Sequence, residues 1–140
     1  MFAIIDTNVY IGHWERGLFA VELSEVSRAF VVRQSAVVLS ELRRGARTRE
    51  AQRAVNRLHD LVPAVWEPTP RDWWEVGQII RTVGGAHDWD RSKRRAFQND
   101  ALIALTARGH GATVVTANRG DFDILGKRLG VAILRVGPAA

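Results

Sequence analysis

Cysteine is absent from the 140 residues, lysine appears twice, and methionine and tyrosine once each. Without thiols the chain forms no disulfide and offers a metal only oxygen or imidazole ligands. This suits a reducing compartment, and cytoplasm is the expected location. Long apolar runs are missing as well. Stretches such as Phe2 to Ile5 and Ala36 to Leu39 fall far short of the roughly 18 to 20 residues that span a bilayer, so no membrane partner is expected. The amino-terminal run follows no basic segment and meets a carboxylate at Asp6, unlike a secretory signal, so export is not expected either. Arginine takes lysine's place: it supplies 18 of the 20 cations, and the net charge is +5. The planar guanidinium matches phosphate oxygens and stacks on bases. A polyanionic partner and a merely arginine-rich solvated surface account for that composition equally well.

An apolar share of 46% in a chain of this length closes one core and leaves no room for a second, so one domain over residues 1–140 is expected. Phe2 to Ile5 reads as a buried strand that ends in Asp6-Thr7-Asn8, residues favouring turns and helix caps. Helical spacing runs from Leu18 to about Arg28, and Ala29 to Arg33 reads as a second strand. Ser35 is a candidate N-cap for a helix to Arg44, stopped by Gly45. From Thr48 a helix sets Ala51, Val55, Leu58 and Leu61 on one stripe and Arg49, Arg53 and Arg57 on another, most simply a solvated face. Thr69-Pro70-Arg71-Asp72 starts a helix to about Val83, where Gly84-Gly85 ends it. Ala86 to Arg95 then reads as a mobile loop. A helix from Phe97 to Arg108, a strand from Ala112 to Thr116, a short helix from Asp121 to Arg128 and a strand from Val131 to Val136 complete the chain. Alternating strands and helices predict a mostly parallel sheet covered on both faces, a three-layer α/β/α sandwich. Ligands of such folds bind beyond the carboxyl ends of the strands, which brings Asp6 and the segment Thr116 to Asp121 into one crevice.

Four carboxylates stand out by their surroundings. Asp6 and Asp121 flank strand ends, whereas Glu41 and Asp100 interrupt otherwise apolar helix faces, among Val37, Val38 and Leu42 in one case and Ala101, Ile103 and Ala104 in the other. An ionised carboxylate in such company is costly unless paired, and no Lys or Arg stands at helical spacing within Ala101 to Ala107 to neutralise Asp100. Positive charge must come from elsewhere. Oxygen ligands without a His or Cys cluster suit a hard divalent cation, Mg²⁺ or Mn²⁺, and the acids are expected to titrate as a coupled group with raised pKa values. Such an ion promotes hydrolysis of a phosphodiester. Taken singly, Asp6 or Asp121 reads as a helix cap and Glu41 as a surface residue. Asp100, opening Asp-Ala-Leu-Ile-Ala-Leu, has no capping role unless a helix starts there.

Asp6-Thr7-Asn8 after a strand, Ser35 through Glu41-Leu42-Arg43 with Gly45, Asn99-Asp100-Ala101-Leu102-Ile103-Ala104, and Val115-Thr116-Ala117-Asn118 before Asp121-Phe122 together resemble the PIN-domain family. Within that family the pattern is most similar to the VapC-type toxins of bacterial toxin–antitoxin pairs. The resemblance implies a Mg²⁺- or Mn²⁺-dependent endoribonuclease with Asp6, Glu41, Asp100 and Asp121 as catalytic and metal-binding acids. Thr7, Asn8, Thr116 and Asn118 would support them, the last two by hydrogen bonding. It also implies a homodimer, a VapB-like antitoxin that blocks the site, and a structured RNA substrate such as tRNA or rRNA. Asp123, two residues past Asp121, competes for its place; Asp121 precedes Phe122 as in the family's pattern.

Trp89, in a basic segment with Arg91, Lys93, Arg94 and Arg95, is a candidate for RNA contact together with Arg91, Arg94 and Arg95; a solvated connector accounts for the segment equally well. Trp73 and Trp74 are adjacent and cannot both face the core, so one is expected at an interface. His13, His59, His87 and His110 show no metal-ligand spacing. An aspartyl-phosphate phosphatase would need an acid where Asn8 stands, and a receiver domain a lysine where Thr116-Ala117-Asn118 stands. A catalytically inactive module that binds RNA or protein is the remaining alternative.

Overall fold

The computed structural model describes residues 1–61 and 64–137. Strands and helices alternate as β1 (Phe2–Ile5), α1 (Thr7–Arg16), α2 (Ala20–Ala29), β2 (Val31–Ser35), α3 (Ala36–Gly45), α4 (Arg49–Leu61), β3 (Val65–Trp66), α5 (Pro70–Ala86), α6 (Arg91–Gly109), β4 (Thr113–Thr116), α7 (Arg119–Leu129) and β5 (Ile133–Arg135). Every strand pair is parallel, in the order β3-β2-β1-β4-β5, with Ala3 opposite Val32 on one side and Thr113 on the other. As the central strand, β1 is covered on both faces, which is why Ala3, Ile4 and Ile5 form an unbroken apolar run and are buried. The expected α/β/α architecture is present, with the sheet entirely parallel.

Strand order decides where a site can form. From β1 the chain steps outward to β2 and β3, then returns to the other flank of β1 for β4 and β5. Connections that leave in opposite directions separate at this reversal and open a crevice beyond the carboxyl ends of β1 and β4. Asp6 follows β1 and Thr116 ends β4, so both stand at its mouth. The central helix α6 is buried from Ala101 through Ala107, and Phe97 is likewise enclosed. Its one buried hydroxyl, on Thr106, donates to the Leu102 carbonyl at 2.8 Å and so leaves no unmet polar group.

Three elements depart from the sequence reading. Thr7–Arg16 is a helix where only a turn or cap was expected, because Asp6 caps it and Gly17 closes it in the left-handed conformation at φ 65°. Gly12, within that helix, admits the Phe19 ring: a Cβ there would lie 2.7 Å from the ring. The strand Val65–Trp66 was not anticipated, and its two residues pair with Gln34 and Ser35 of β2. The segment read as a mobile loop, Ala86 to Arg95, is instead mostly helical. Here α5 runs through Gly84-Gly85 to Ala86, and α6 begins at Arg91, capped by Asp90. Close packing outweighed helix propensity, since Gly84 lets the Arg94 side chain come within 3.0 Å of where a Cβ would stand.

Candidate active site

Asp6 is fixed first by backbone. Its N–H donates to the Val115 carbonyl at 2.8 Å, carrying the β1–β4 ladder one residue further. Its carboxylate accepts from the Thr7 N–H through Oδ1 and from the Thr116 hydroxyl through Oδ2, each at 2.8 Å. Thr116 Oγ1 in turn accepts from the Asn118 N–H at 2.9 Å. Asn118 caps α7 by accepting from the Asp121 N–H, and its Nδ2 donates to Asp100 Oδ2 at 3.3 Å. Asn8 Oδ1 accepts from the Ala117 N–H at 3.2 Å, tying α1 to the turn after β4. Cap residues of two helices thus serve a second purpose: they aim at the acids.

Glu41 reaches the same crevice from α3, whose first turn is set by buried Ser35 accepting from the Val37 and Val38 N–H groups. Its Oε1 accepts from the Thr7 hydroxyl at 2.8 Å and its Oε2 from Asn99 Nδ2 at 3.4 Å. Asn99 was quoted in the sequence motif without a role. Its position beside Asp100 on α6 was the available signal. Asp123 faces elsewhere: it pairs with Arg135 of β5, leaving Asp121 as the acid of α7 that faces Asp100.

Charge crowding is severe. Burial pushes the Asp6 carboxyl up to about 6; hydrogen bonds from Thr116 and Thr7 oppose the rise, and the neighbouring Glu41 and Asp121 add to it. Asp100 is pushed up to about 9, chiefly by burial, then by its hydrogen bond with Asp121 and by repulsion from Asp6, Asp121 and Glu41. Burial would raise Asp121 too, but hydrogen bonds from Asp100 and Lys93 outweigh it and hold this carboxyl below its usual range. Asp100 and Asp121 are thus shifted in opposite directions, the first up and the second down. Lys93 supplies the positive charge that the sequence reading sought downstream of Asp100. Its Nζ lies 2.7 Å from Asp121 Oδ1. The lysine stands seven residues upstream of Asp100 on the same helix.

The donor set fits a hard divalent cation. The acids that converge here offer only oxygen ligands, and the rise of the Asp100 carboxyl, caused in part by its three acidic neighbours, marks a place where positive charge is short. Among the described residues no three His, Asp or Glu side chains already close a cage. The fit is therefore to an ion that keeps several of its waters, as Mg²⁺ does.

The remaining candidates lie around this cluster. Trp89 packs on Phe97 at 4.9 Å between ring centroids and on His87 at 5.1 Å. Arg94 donates from Nε to the Trp89 carbonyl at 2.9 Å, closing the α5–α6 turn, while Arg91 and Arg95 are exposed. Trp73 and Trp74 are both exposed, at 51% and 86%. No described helix is long and apolar enough to cross a membrane.

A comparison with curated proteins finds no match. Solved structures are similar over nearly the whole chain. A chain of VapBC2 from Rickettsia felis, bound to a DNA fragment from its promoter, superposes with a TM-score of 0.71 at 18% identity, covering 98% of this chain and 100% of that one. VapBC-1 from nontypeable Haemophilus influenzae gives 0.71 at 20% identity, covering 96% and 98%. VapBC-5 of the toxin–antitoxin family from Mycobacterium tuberculosis gives 0.60 at 22%, again covering 96% and 98%. At these identities the likeness speaks for the fold. The sequence itself matches the PIN domain model over residues 3–127, and the chain belongs to the PIN domain family.

Proposed function

We propose that this chain is a Mg²⁺- or Mn²⁺-dependent endoribonuclease, the toxin of a toxin–antitoxin pair, that cleaves a structured RNA such as tRNA or rRNA. The observation that carries the reading is the convergence of four carboxyls at the mouth of the strand-order crevice, Asp6 and Asp121 buried and Glu41 and Asp100 half-buried, with Asp6 pushed up to about 6 and Asp100 to about 9. Fold stability gives no reason to gather four acids there, whereas cation binding does. A divalent ion in the cluster supplies a Lewis acid that acidifies water and offsets charge on a phosphodiester. Asp6, Asp100 and Asp121, with Glu41, are the residues that would hold it. Thr116 and Asn118 keep the Asp6 and Asp100 carboxylates turned into the crevice, and Thr7 with Asn99 does the same for Glu41. The Asp100 proton is the one that must leave for this carboxyl to become a ligand. An aspartyl-phosphate mechanism fits less well, because Asn8 stands where such a phosphatase needs a second acid and is engaged with the Ala117 N–H.

The antitoxin partner is supported by the VapBC complexes among the structural neighbours and by a groove of about 870 Å³ with Tyr10, Ile11, Trp14, Leu42, Val55 and Leu58 in its walls. An apolar segment of a partner suits such a lining. A homodimer would account for the exposed Trp73 and Trp74 at the start of α5. The test is to express the wild type and Asp100→Asn briefly and map new RNA 5′ ends. Discrete ends in the wild type alone are expected; matching profiles would overturn the nuclease reading.

A further inference from the structure

Lys93 touches the acid cluster, yet neither the motif order nor the proposed chemistry uses it. Three restraints hold it there. Asp90 accepts from the Lys93 backbone N–H at 2.8 Å and so fixes the first turn of α6. The ammonium lies 5.0 Å from the centroid of the Trp89 ring, which also packs on Phe97. The Nζ then meets Asp121 Oδ1 at 2.7 Å, with the lysine side chain 40% exposed and that of Asp121 only 11%. Trp89, a candidate for RNA contact in the sequence, is in the fold the seat of this lysine.

Two further facts give the arrangement meaning. Among the described side chains, Lys93 makes the one ion pair to any of the four acids. The choice of residue type also runs against the composition, because a chain that uses arginine 18 times in 20 places one of its two lysines here. Arginine grips a carboxylate with a bidentate fork, whereas lysine holds it with a point charge that is more easily exchanged. We infer that Lys93 is a tethered counter-cation: it holds Asp121 in the metal-free protein and yields that oxygen to a divalent ion, thereby setting how tightly the cluster takes metal. The inference rests on the cluster being a cation site. An ion that took Asp121 Oδ1 as a ligand would meet the ammonium at contact distance, and their repulsion would have to open the ion pair. Because α6 carries both Lys93 and Asp100, two turns apart, one helix delivers the resident cation and the acid that most needs neutralising.

The test titrates chelator-stripped full-length protein with Mn²⁺ by calorimetry, comparing wild type, Lys93→Met, Lys93→Arg and Asp100→Asn. Removing the ammonium is expected to lower the Mn²⁺ Kd by about tenfold, and the bidentate arginine to raise it by about threefold. Asp100→Asn should weaken binding, which places the ion at this cluster. A Kd for Lys93→Met within twofold of wild type, or weaker, overturns the inference while leaving the cation site standing. Absence of Mn²⁺ binding in the wild type overturns both. A second measurement needs no variant: amine acetylation of wild type, read by mass spectrometry, with Lys127 as internal reference. Mn²⁺ should raise the relative labelling of Lys93 as the ion pair opens and the amine is freed from its carboxylate partner, and unchanged or reduced labelling overturns the inference.

Discussion

At the scale of single residues, the acid cluster makes a signed prediction about pH. A carboxyl whose pKa is higher in the folded than in the unfolded chain binds more protons when folded, so stability falls as pH rises between the two values. For Asp6 that window runs from the ordinary 3.8 to about 6, and for Asp100 from 3.8 to about 9. Asp121 is shifted the other way; its contribution is fully present above its unfolded value and so does not change over the range from pH 5 to pH 9. The metal-free protein should therefore have a thermal midpoint that declines from pH 5 to pH 9. Asp100→Asn, which removes the most strongly raised group, should flatten that decline. Thermal melts in chelator across this range decide it, and a midpoint that rises with pH would contradict the assigned protonation. The four acids were legible in the sequence because each broke a local pattern: a polar residue at a strand tip or on an apolar helix face. Lys93 was not, because a cation on a basic helix start breaks no pattern. Only the path of α6 reveals that it faces Asp121.

At the scale of elements, α3 illustrates how local sequence positions a functional side chain. Ser35 ends β2 and caps α3; its buried hydroxyl serves the Val37 and Val38 N–H groups, and Glu41 stands six residues on. Ser35→Ala should cost about 1 to 2 kcal/mol, since it orphans helix donors away from water. Urea unfolding should report this as a lower midpoint with an unchanged slope; a shift below about 0.3 kcal/mol would mean that solvent or a shifted backbone satisfies those groups. Signals of this kind explain which elements were readable. Ser35 and Thr69-Pro70 are explicit helix starts, and α3 and α5 begin where those residues place them. The helix α1 was missed because its Gly12 weakens the pattern, and the reason for that glycine is Phe19, seven residues away and invisible to helical periodicity. The supposed loop before Asp100 failed for the same reason: Gly84-Gly85 reads as a stop unless the neighbouring Arg94 is known to need the space.

At the scale of the whole molecule, charge is unevenly placed. Arg43, Arg44, Arg47, Arg49, Arg53 and Arg57 are all exposed between the end of α3 and α4, and among the described residues none forms an ion pair. Only Glu50 and Asp60 oppose them on the same stretch, and Asp60 is engaged by His59. Their series begins two residues after Glu41 in the sequence. A purely solvated face and an RNA-tracking ridge have the same composition, and salt distinguishes them. Each phosphate neutralised on single-stranded RNA contributes a log–log salt slope of about −0.7. Measured with Asp100→Asn to prevent cleavage, RNA affinity should fall steeply from 50 to 200 mM salt. Replacing Arg49, Arg53 and Arg57 together by glutamine should remove about 2 from the magnitude of that slope, three contacts at about 0.7 each. The folded stability of that variant should be nearly unchanged, because solvent-exposed unpaired arginines contribute little to it. A triple variant with the parental slope would assign the ridge to solvent and the RNA contacts to another surface.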